Sequence, residues 1–274
     1  MFSIAYLNSL RRAEIDRVVG LLKPGARILE IGAGTGEQAL DLQGRGFDVT
    51  AIELANSSYA RDRRFPIIDY DGRHIPLPDH SVDIVFSSSV MEHVPDLPQM
   101  HGEIRRVLKP SGYCVHLLPT HTWRMWTTLT AVPDAIVYLV VALAELVPRG
   151  LPRGAELRRA GRAAYRKAQY VGWRIWQRRH GVRGNVVSEH WLFRPSWWRR
   201  NFQDNGFAIR RDQPMGLFYT GNNLFGPHLS FALRERMARV LGSACHLFET
   251  VPVASADHNR LTDEQPEVAE QEEA

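Results

Sequence analysis

Short apolar runs alternate with amphipathic stretches along the first 119 residues of the chain. The runs are Ala26–Ile31, Phe47–Leu54, Phe65–Asp69, Ser81–Ser88 and Tyr113–Pro119. Several of them are separated by stretches with helical spacing of apolar residues, such as Leu97–Leu108. Strands that alternate with helices favour a mostly parallel sheet covered on both faces. We therefore expect a doubly wound α/β fold.

The pattern changes after residue 119. Residues 120–189 are Trp-rich, then apolar and finally basic, without a strand signal, and this predicts a helical insertion after the fifth strand. Further along, we expect a helix from Pro195, a strand at Phe207–Asp212 with a hairpin partner at Met215–Gly221, and a last helix at Ala232–Glu249. The predicted organisation is a core of residues 1–119 and 190–221, an insertion of residues 120–189, a C-terminal helical segment of residues 222–253 and a tail of residues 254–274.

Charge is spread unevenly along the chain. The formal net charge is +4, yet Arg149–Arg183 contains eleven Lys and Arg residues and one acid, Glu156. In contrast, Ser255–Ala274 contains seven acids. Because this acidic tail has few apolar residues with which to offset the entropy of ordering, we expect it to be disordered.

Cysteine usage and hydropathy favour a cytoplasmic protein. Cys114 and Cys245 lie in apolar stretches without CxxC or Cys/His spacing, which predicts reduced thiols and no structural metal. Ala135–Ala144, the most apolar run, has ten residues, half of the ~20 that a membrane-spanning helix needs. Arg11 and Arg12 interrupt the N-terminal apolar stretch, which therefore predicts a mature helix rather than a signal peptide.

A glycine-rich loop follows the first predicted strand. Its sequence is Glu30-Ile31-Gly32-Ala33-Gly34-Thr35-Gly36, and a helix is expected to begin after it. Missing side chains allow a ligand to lie against the backbone at a helix N-terminus. A dinucleotide fingerprint would need its third glycine at the position of Glu37, so the loop argues against NAD.

An acidic residue ends the second predicted strand. Glu53 lies about 20 residues beyond the glycines, where a carboxylate accepts hydrogen bonds from both hydroxyls of a ribose. The loop and this residue together predict a nucleoside-containing ligand.

Four motifs in order, ILEIGAGTG, IEL, DYDGRHIPLPDHSVDIVFSSSVMEHVPD and RRVLKPSG, carry a family resemblance. Together they resemble the class I S-adenosylmethionine-dependent methyltransferases of the ubiquinone/menaquinone-biosynthesis-like type. The match covers about Ile28–Pro119. It implies a Rossmann-like fold, S-adenosylmethionine as the cofactor and methyl transfer as the activity.

The resemblance also implies a role for individual residues. Glu30 and the backbone of Gly32, Gly34 and Gly36 would hold the methionine part of the cofactor, Glu53 its ribose, Asp71 and Gly72 its adenine, and Ser88 would contact it from the fourth strand. Asp69 is a rival of Asp71 for the adenine, but the spacing to Pro76 favours Asp71.

Methyl transfer from a sulfonium is an in-line displacement that needs the acceptor and the methyl group about 3 Å apart in a dry site. If the acceptor is a hydroxyl, a histidine within hydrogen-bond reach is a suited general base. His121 is the first candidate and His93 the second, since both follow the carboxyl ends of predicted strands, and His190 is a third. Arg124 could bind an anionic group of the acceptor or pair with a neighbour.

The insertion bears on the acceptor. Apolar residues at helical spacing in 157–175 are surrounded by arginines, which predicts a basic amphipathic helix. Such a helix, with nearby tryptophans, suits an anionic membrane surface, and it favours peripheral attachment to the inner face of a membrane. The acceptor would then be a hydroxyl of a lipid or a lipid-linked glycan, although a small molecule under an insertion that serves only as a lid is equally compatible.

Three other functions stay open. Arginines and tryptophans could bind RNA, but no nucleic-acid-binding module is recognised. A scaffold that binds S-adenosylmethionine without turnover has the same motifs. An NAD-dependent dehydrogenase is disfavoured by Glu37 in place of the third glycine.

Overall fold

The computed structural model describes residues 4–146, 178–222 and 228–253, together with Gly226 and a few residues between 162 and 172. The helices are α1 (Ile4–Val18), α2 (Glu37–Gly44), α3 (Leu97–Val107), α4 (His121–Leu146), α5 (Glu189–Leu192), α6 (Pro195–Asp204) and α7 (Phe231–Leu241). The strands are β1 (Arg27–Ile31), β2 (Asp48–Leu54), β3 (Ile67–Tyr70), β4 (Val82–Ser88), β5 (Leu108–Pro119), β6 (Phe207–Pro214) and β7 (Cys245–Pro252). Short 3-10 turns lie at Val19–Leu21 and Met91–His93.

The strands form one sheet of seven in the order β3-β2-β1-β4-β5-β7-β6. The first five are parallel to one another, and β7 runs antiparallel between β5 and β6. The prediction of a mostly parallel, doubly wound α/β sheet is thus confirmed. The order reverses between β1 and β4, and this is the point at which open α/β sheets bind ligands.

The sheet is buried on both faces. Ile28 belongs to a core cluster that includes residues of α1 and α2, whereas its neighbour Leu29 belongs to a second cluster with residues of α3 and α6. Successive residues of a strand point to opposite faces of the sheet. A strand that is covered on both faces therefore needs apolar residues at adjacent positions, as Ile28 and Leu29 are.

The last part of the sheet corrects two predictions. Met215–Gly221 is not a strand, because β6 pairs along its length with β7, from Phe207 opposite Pro252 to Pro214 opposite His246. The predicted helix Ala232–Glu249 ends at Leu241, and β7 follows. The segment 222–253 is therefore only partly helical, and its strand belongs to the core. The physical reason is burial, since Leu247 and Phe248 enter the two different core clusters as successive residues of a strand do.

The described part of the insertion is not helical throughout. α4 occupies its first part, whereas residues 178–188 form an irregular stretch that leads into α5. Most of the predicted basic helix and the whole of the tail 254–274 lie outside the described residues. Among the helices that the structure describes, none is long and apolar enough to cross a membrane.

A pair of substitutions tests the assignment of β7. Phe248→Ala should lower the free energy of unfolding by about 3–5 kcal/mol, since it deletes a fully buried ring that packs against Phe202 at 5.3 Å between centroids. Val240→Ala on α7 should change it by about 0.5 kcal/mol or less, because Val240 is 84% exposed. Chemical denaturation measures both. Equal, small effects would contradict a buried strand.

Candidate functional site

A cavity of about 910 Å³ opens at the carboxyl ends of β1, β2 and β4. One half, where the sequence predicts the cofactor and which is named the cofactor half, is lined by the glycine loop and the ends of β2 and β3. The other, where an acceptor is predicted and which is named the acceptor half, is lined by α1, the turn after β4, the start of α4 and the stretch before α5. Its lining includes Gly32, Gly34, Glu53, Tyr59, Asp71, Gly72, Ser88, Arg11, His93, Trp123, Arg124, His180 and Tyr219. This volume suits a nucleoside cofactor together with part of a second molecule.

The glycines of the loop are required by its backbone. Gly32, Gly34 and Gly36 have φ of +71°, +57° and +80°, where a side chain is strained. A Cβ on Gly32 would lie 2.4 Å from Cγ2 of Val90, and one on Gly36 would lie 2.5 Å from Cβ of Phe65. Gly32 and Gly34 line the cavity, whereas Gly36 precedes α2 and shapes the loop from behind.

Glu53 is held at the cavity wall by the backbone. Its Oε2 accepts a hydrogen bond from the amide of Gly34 at 2.7 Å, and its Oε1 accepts one from Leu54 at 2.8 Å. Each carboxylate oxygen has further lone pairs, so a ribose hydroxyl can still bind there. This position agrees with the role that the sequence predicts.

Asp71 and Gly72 lie in the turn after β3 and both line the cavity. The Asp71 carboxylate accepts hydrogen bonds from the amides of Arg73 and His74, both at 2.8 Å, and one of its oxygens lies 2.7 Å from Nδ1 of His74. The hydrogen bonds from His74 and Arg73 hold the pKa of this carboxyl well below its usual range. The rival Asp69 instead pairs with Arg63 at 2.5 Å and is not part of the lining.

Ser88 ends β4 beside the cofactor half of the cavity. Nη1 of Arg11 donates to its Oγ at 3.0 Å, and Nη2 of Arg11 donates to Oγ of Ser89 at 3.0 Å. α1 is thereby attached to the end of β4, where the two halves of the cavity meet.

Glu30 does not line the cavity, contrary to the expected contact with the cofactor. It is 2% exposed, and its Oε2 has no hydrogen-bond partner. Burial raises the pKa of this carboxyl to about 8, although the amide of Ala39 opposes the shift. The contact of Glu30 is therefore with the first turn of α2, through the amide of Ala39, and the predicted contact with the cofactor has no support from its position.

The histidine candidates separate in the structure. His93 lines the acceptor half, where burial lowers its pKa despite the opposing charge of Glu92. His121 does not line the cavity, and the charges closest to it include Arg194 and His190. The position of His121 gives no support to its predicted role as general base, because Trp123 and Arg124 of α4 line the cavity and His121 does not. His190 is outside the lining as well.

Arg124 has a buried acidic partner. Its Nε lies 3.0 Å from Oε2 of Glu189, and both side chains are almost fully buried. Oε1 of Glu189 accepts hydrogen bonds from the amides of His180 and Gly181. The ion pair thus joins the start of α4 to the stretch before α5, and of the two roles weighed for Arg124, pairing with a neighbour is the one that the contacts show.

Sequence reasoning missed a buried polar network in the wall of the cavity. Glu14 is fully buried and lies 2.7 Å from Nη1 of Arg11, while the hydroxyl of Tyr219 donates to its other oxygen at 2.7 Å. The Tyr219 hydroxyl also lies 2.9 Å from Sγ of Cys245. The one available signal was an acid on the apolar face of the first predicted helix. Its partners could not be found, because they come from remote parts of the chain.

Comparison with known proteins identifies relatives of the segment that forms the cofactor half. A family model described as a methyltransferase domain matches residues 29–116. The malonyl-[acyl-carrier protein] O-methyltransferase of Serratia marcescens is 36% identical over 110 residues, which cover 38% of this chain and 43% of that protein. The ubiquinone biosynthesis O-methyltransferase of Bordetella avium is 29% identical over 157 residues, which cover 54% of this chain and 60% of that protein.

The chain spans less than two thirds of the length of both these relatives. Among solved structures, a SAM-dependent methyltransferase from Methanosarcina mazei has a TM-score of 0.50 and 17% identity, covering 87% of this chain and 97% of that one. At this identity, the similarity supports the fold alone.

The buried Glu30 predicts a pH-dependent stability. Burial raises the pKa of the Glu30 carboxyl to about 8 in the folded chain, whereas its pKa in the unfolded chain is the ordinary 4.5. Between these values the unfolded state binds fewer protons, so the free energy of unfolding should fall as pH rises, by up to about 1.4 kcal/mol per pH unit from this group. Glu30→Gln should flatten that part of the profile, as measured by urea unfolding at a series of pH values. Parallel profiles for the two proteins would show that Glu30 is ionised in the folded chain.

Proposed function

Residues 29–116 form a class I S-adenosylmethionine-dependent methyltransferase domain, and from this premise we propose that the chain transfers the methyl group of S-adenosylmethionine to a hydroxyl of an acceptor in the second half of the cavity. The observation that carries the proposal is the continuity of the cavity, whose lining runs from Glu53 and Gly72 to His93, Trp123 and His180. A methyl donor and its acceptor can therefore meet without crossing solvent.

The cofactor half supplies a group for each part of the donor. The backbone of Gly32 and Gly34 would hold the methionine part, Glu53 the ribose, and Asp71 with Gly72 the adenine. The positive φ angles let the loop backbone approach the ligand, and the hydrogen bonds of Glu53 and Asp71 fix both carboxylates before it binds. Such preorganisation lowers the cost of ordering the site.

The chemistry requires positioning more than covalent catalysis. Transfer to a hydroxyl would form the oxygen–carbon bond as the carbon–sulfur bond of S-adenosylmethionine breaks. The hydroxyl proton would pass to water, and the electron pair of the broken bond would stay on the sulfur of S-adenosylhomocysteine. Charge is lost at sulfur, so a dry cavity that aligns oxygen, carbon and sulfur favours the reaction. An oxygen acceptor is supported by the names of two relatives, both O-methyltransferases.

A membrane-associated acceptor, a lipid or a lipid-linked glycan, is supported by the surface of α4. Leu129, Ile136 and Val140 are 59%, 56% and 60% exposed, and with Val132 they lie along one face of the helix. The neighbouring sequence Arg149–Arg183 is strongly basic. An apolar helix face next to basic residues suits an anionic lipid surface, with α4 lying in the interface.

Titration of the purified chain tests the cofactor half. S-adenosylmethionine and S-adenosylhomocysteine should bind and NAD should not, and Glu53→Ala and Asp71→Ala should each weaken binding about tenfold or more, since each removes a charge-assisted hydrogen bond of about 1.5–3 kcal/mol. Asp69→Ala is the matched control and should leave the affinity unchanged, because Asp69 is outside the lining. Binding of NAD alone would overturn the proposal.

Vesicle sedimentation tests the membrane surface. The chain should bind vesicles that contain phosphatidylglycerol more strongly than vesicles of phosphatidylcholine, and Ile136→Asp with Val140→Asp should lower binding about tenfold or more, because two exposed apolar side chains no longer enter the interface. Val240→Asp places one carboxylate at an exposed apolar position of α7 and should have no effect beyond that of one added charge. Equal binding by all variants would contradict a role for α4.

Transfer of a labelled methyl group to a total lipid extract, rather than to aqueous metabolites, would identify the acceptor class.

A further inference from the structure

Three side chains of metal-ligand type meet at the acceptor half of the cavity. Glu92 and His93 lie in the 3-10 turn after β4, and His180 lies before α5. Nε2 of His93 and Nε2 of His180 are each 3.7 Å from Oε1 of Glu92, and one donor atom from each residue lies within 4.8 Å of the others. In the described part of the chain, no other three His, Cys, Asp or Glu residues form such a group.

Glu92 is a buried carboxylate without a hydrogen-bond donor. Its side chain is 0% exposed, and neither of its oxygens has a hydrogen-bond partner. The guanidinium of Arg183 is close enough to interact with its charge, but it donates to the backbone oxygens of Met91 and Val94. Because a buried carboxylate that accepts no hydrogen bond is costly, its two oxygens indicate a cationic ligand.

The backbone holds the three side chains in register. The amide of Val182 donates to the carbonyl oxygen of Glu92 at 3.1 Å, and Gly181 lies so close that a Cβ there would be 2.8 Å from the same oxygen. The amide of His180 is held by Glu189, and its ring contacts that of Trp123 at 4.7 Å between centroids. The arrangement is therefore fixed by contacts that do not involve a ligand.

We propose that Glu92, His93 and His180 bind a divalent cation of the zinc type, with its remaining coordination positions open to the cavity. Two imidazoles and one carboxylate are the protein ligands of one kind of catalytic zinc site, and they also suit other borderline cations. Tetrahedral coordination with bonds of about 2.1 Å places ligand atoms about 3.4 Å apart, close to the 3.7 Å that separates each histidine nitrogen from Glu92.

This inference rests on the proposed function and makes it more specific. A divalent cation at this position would act as a Lewis acid on the acceptor hydroxyl and favour loss of its proton to water. The oxygen would then form its bond to the methyl carbon while the carbon–sulfur bond breaks, with the electron pair leaving on sulfur. His93 would be a ligand rather than the general base that its sequence position predicts.

Direct metal binding tests the inference without an acceptor. The full chain, stripped with a chelator, is titrated with zinc by calorimetry and with cobalt by visible absorption, which reports imidazole coordination. The expected result is one ion per chain at about micromolar affinity or tighter, with the affinity for zinc lowered about 100-fold or more in Glu92→Gln and in His180→Asn. His190→Asn is the matched control and should bind as the wild type does, since His190 is outside the cavity.

Two results would overturn the inference: no zinc binding by the wild type, or equal binding by the wild type and by Glu92→Gln and His180→Asn, which would place the ion elsewhere. Binding of S-adenosylmethionine by the same samples separates the two proposals. If the cofactor binds and zinc does not, the metal site is wrong and the methyltransferase proposal stands. If neither variant binds the cofactor, thermal unfolding shows whether each variant is folded. A misfolded Glu92→Gln is replaced by the conservative Glu92→Asp, which should keep the affinity for zinc within about tenfold of the wild type.

Discussion

The parallel pairing of β1 with both β2 and β4 is the constraint on which the rest of the structure depends. Ile31 lies opposite Ile52 on one side and Ser87 on the other, so the three strands end at the same edge of the sheet. Each end then contributes one part of the cavity wall: the glycine loop, Glu53 and Ser88. The amides of Gly32 and Ala33 donate to the carbonyl oxygen of Ile52, and this ties the loop itself to the ladder.

The sequence signals for the residues that line the cofactor half are local. Glycines that need positive φ, a carboxylate at a strand end and an Asp-Gly turn are each readable within a few residues. The buried position of Glu30 was not readable, because it depends on how α2 covers the loop. β7 was missed for a related reason. Its apolar residues lie on two faces of the sheet, Leu247 on one and Phe248 on the other, and this arrangement depends on pairing with β5 and β6.

The acceptor half resists prediction because it is assembled from distant segments. α1, the turn after β4, the start of α4 and the stretch before α5 all meet there, and none of these contacts has a sequence signature. His93 was found through its motif, whereas His180 came without one. His121 was misplaced because the cavity is lined by Trp123, two residues further along α4, and the position of a residue at a strand end does not determine which side chains of the next helix face the cavity.

The position of Glu189 bears on how acceptor specificity can diverge. One buried carboxylate pairs with Arg124 and also accepts hydrogen bonds from the amides of His180 and Gly181. The same side chain therefore stabilises this region and determines the shape of the acceptor half. A substitution at Glu189 alters both at once. Relatives that evolve a new acceptor are therefore expected to keep this carboxylate and to vary partly buried lining residues outside the pair, such as Leu7 and Asn8 on α1.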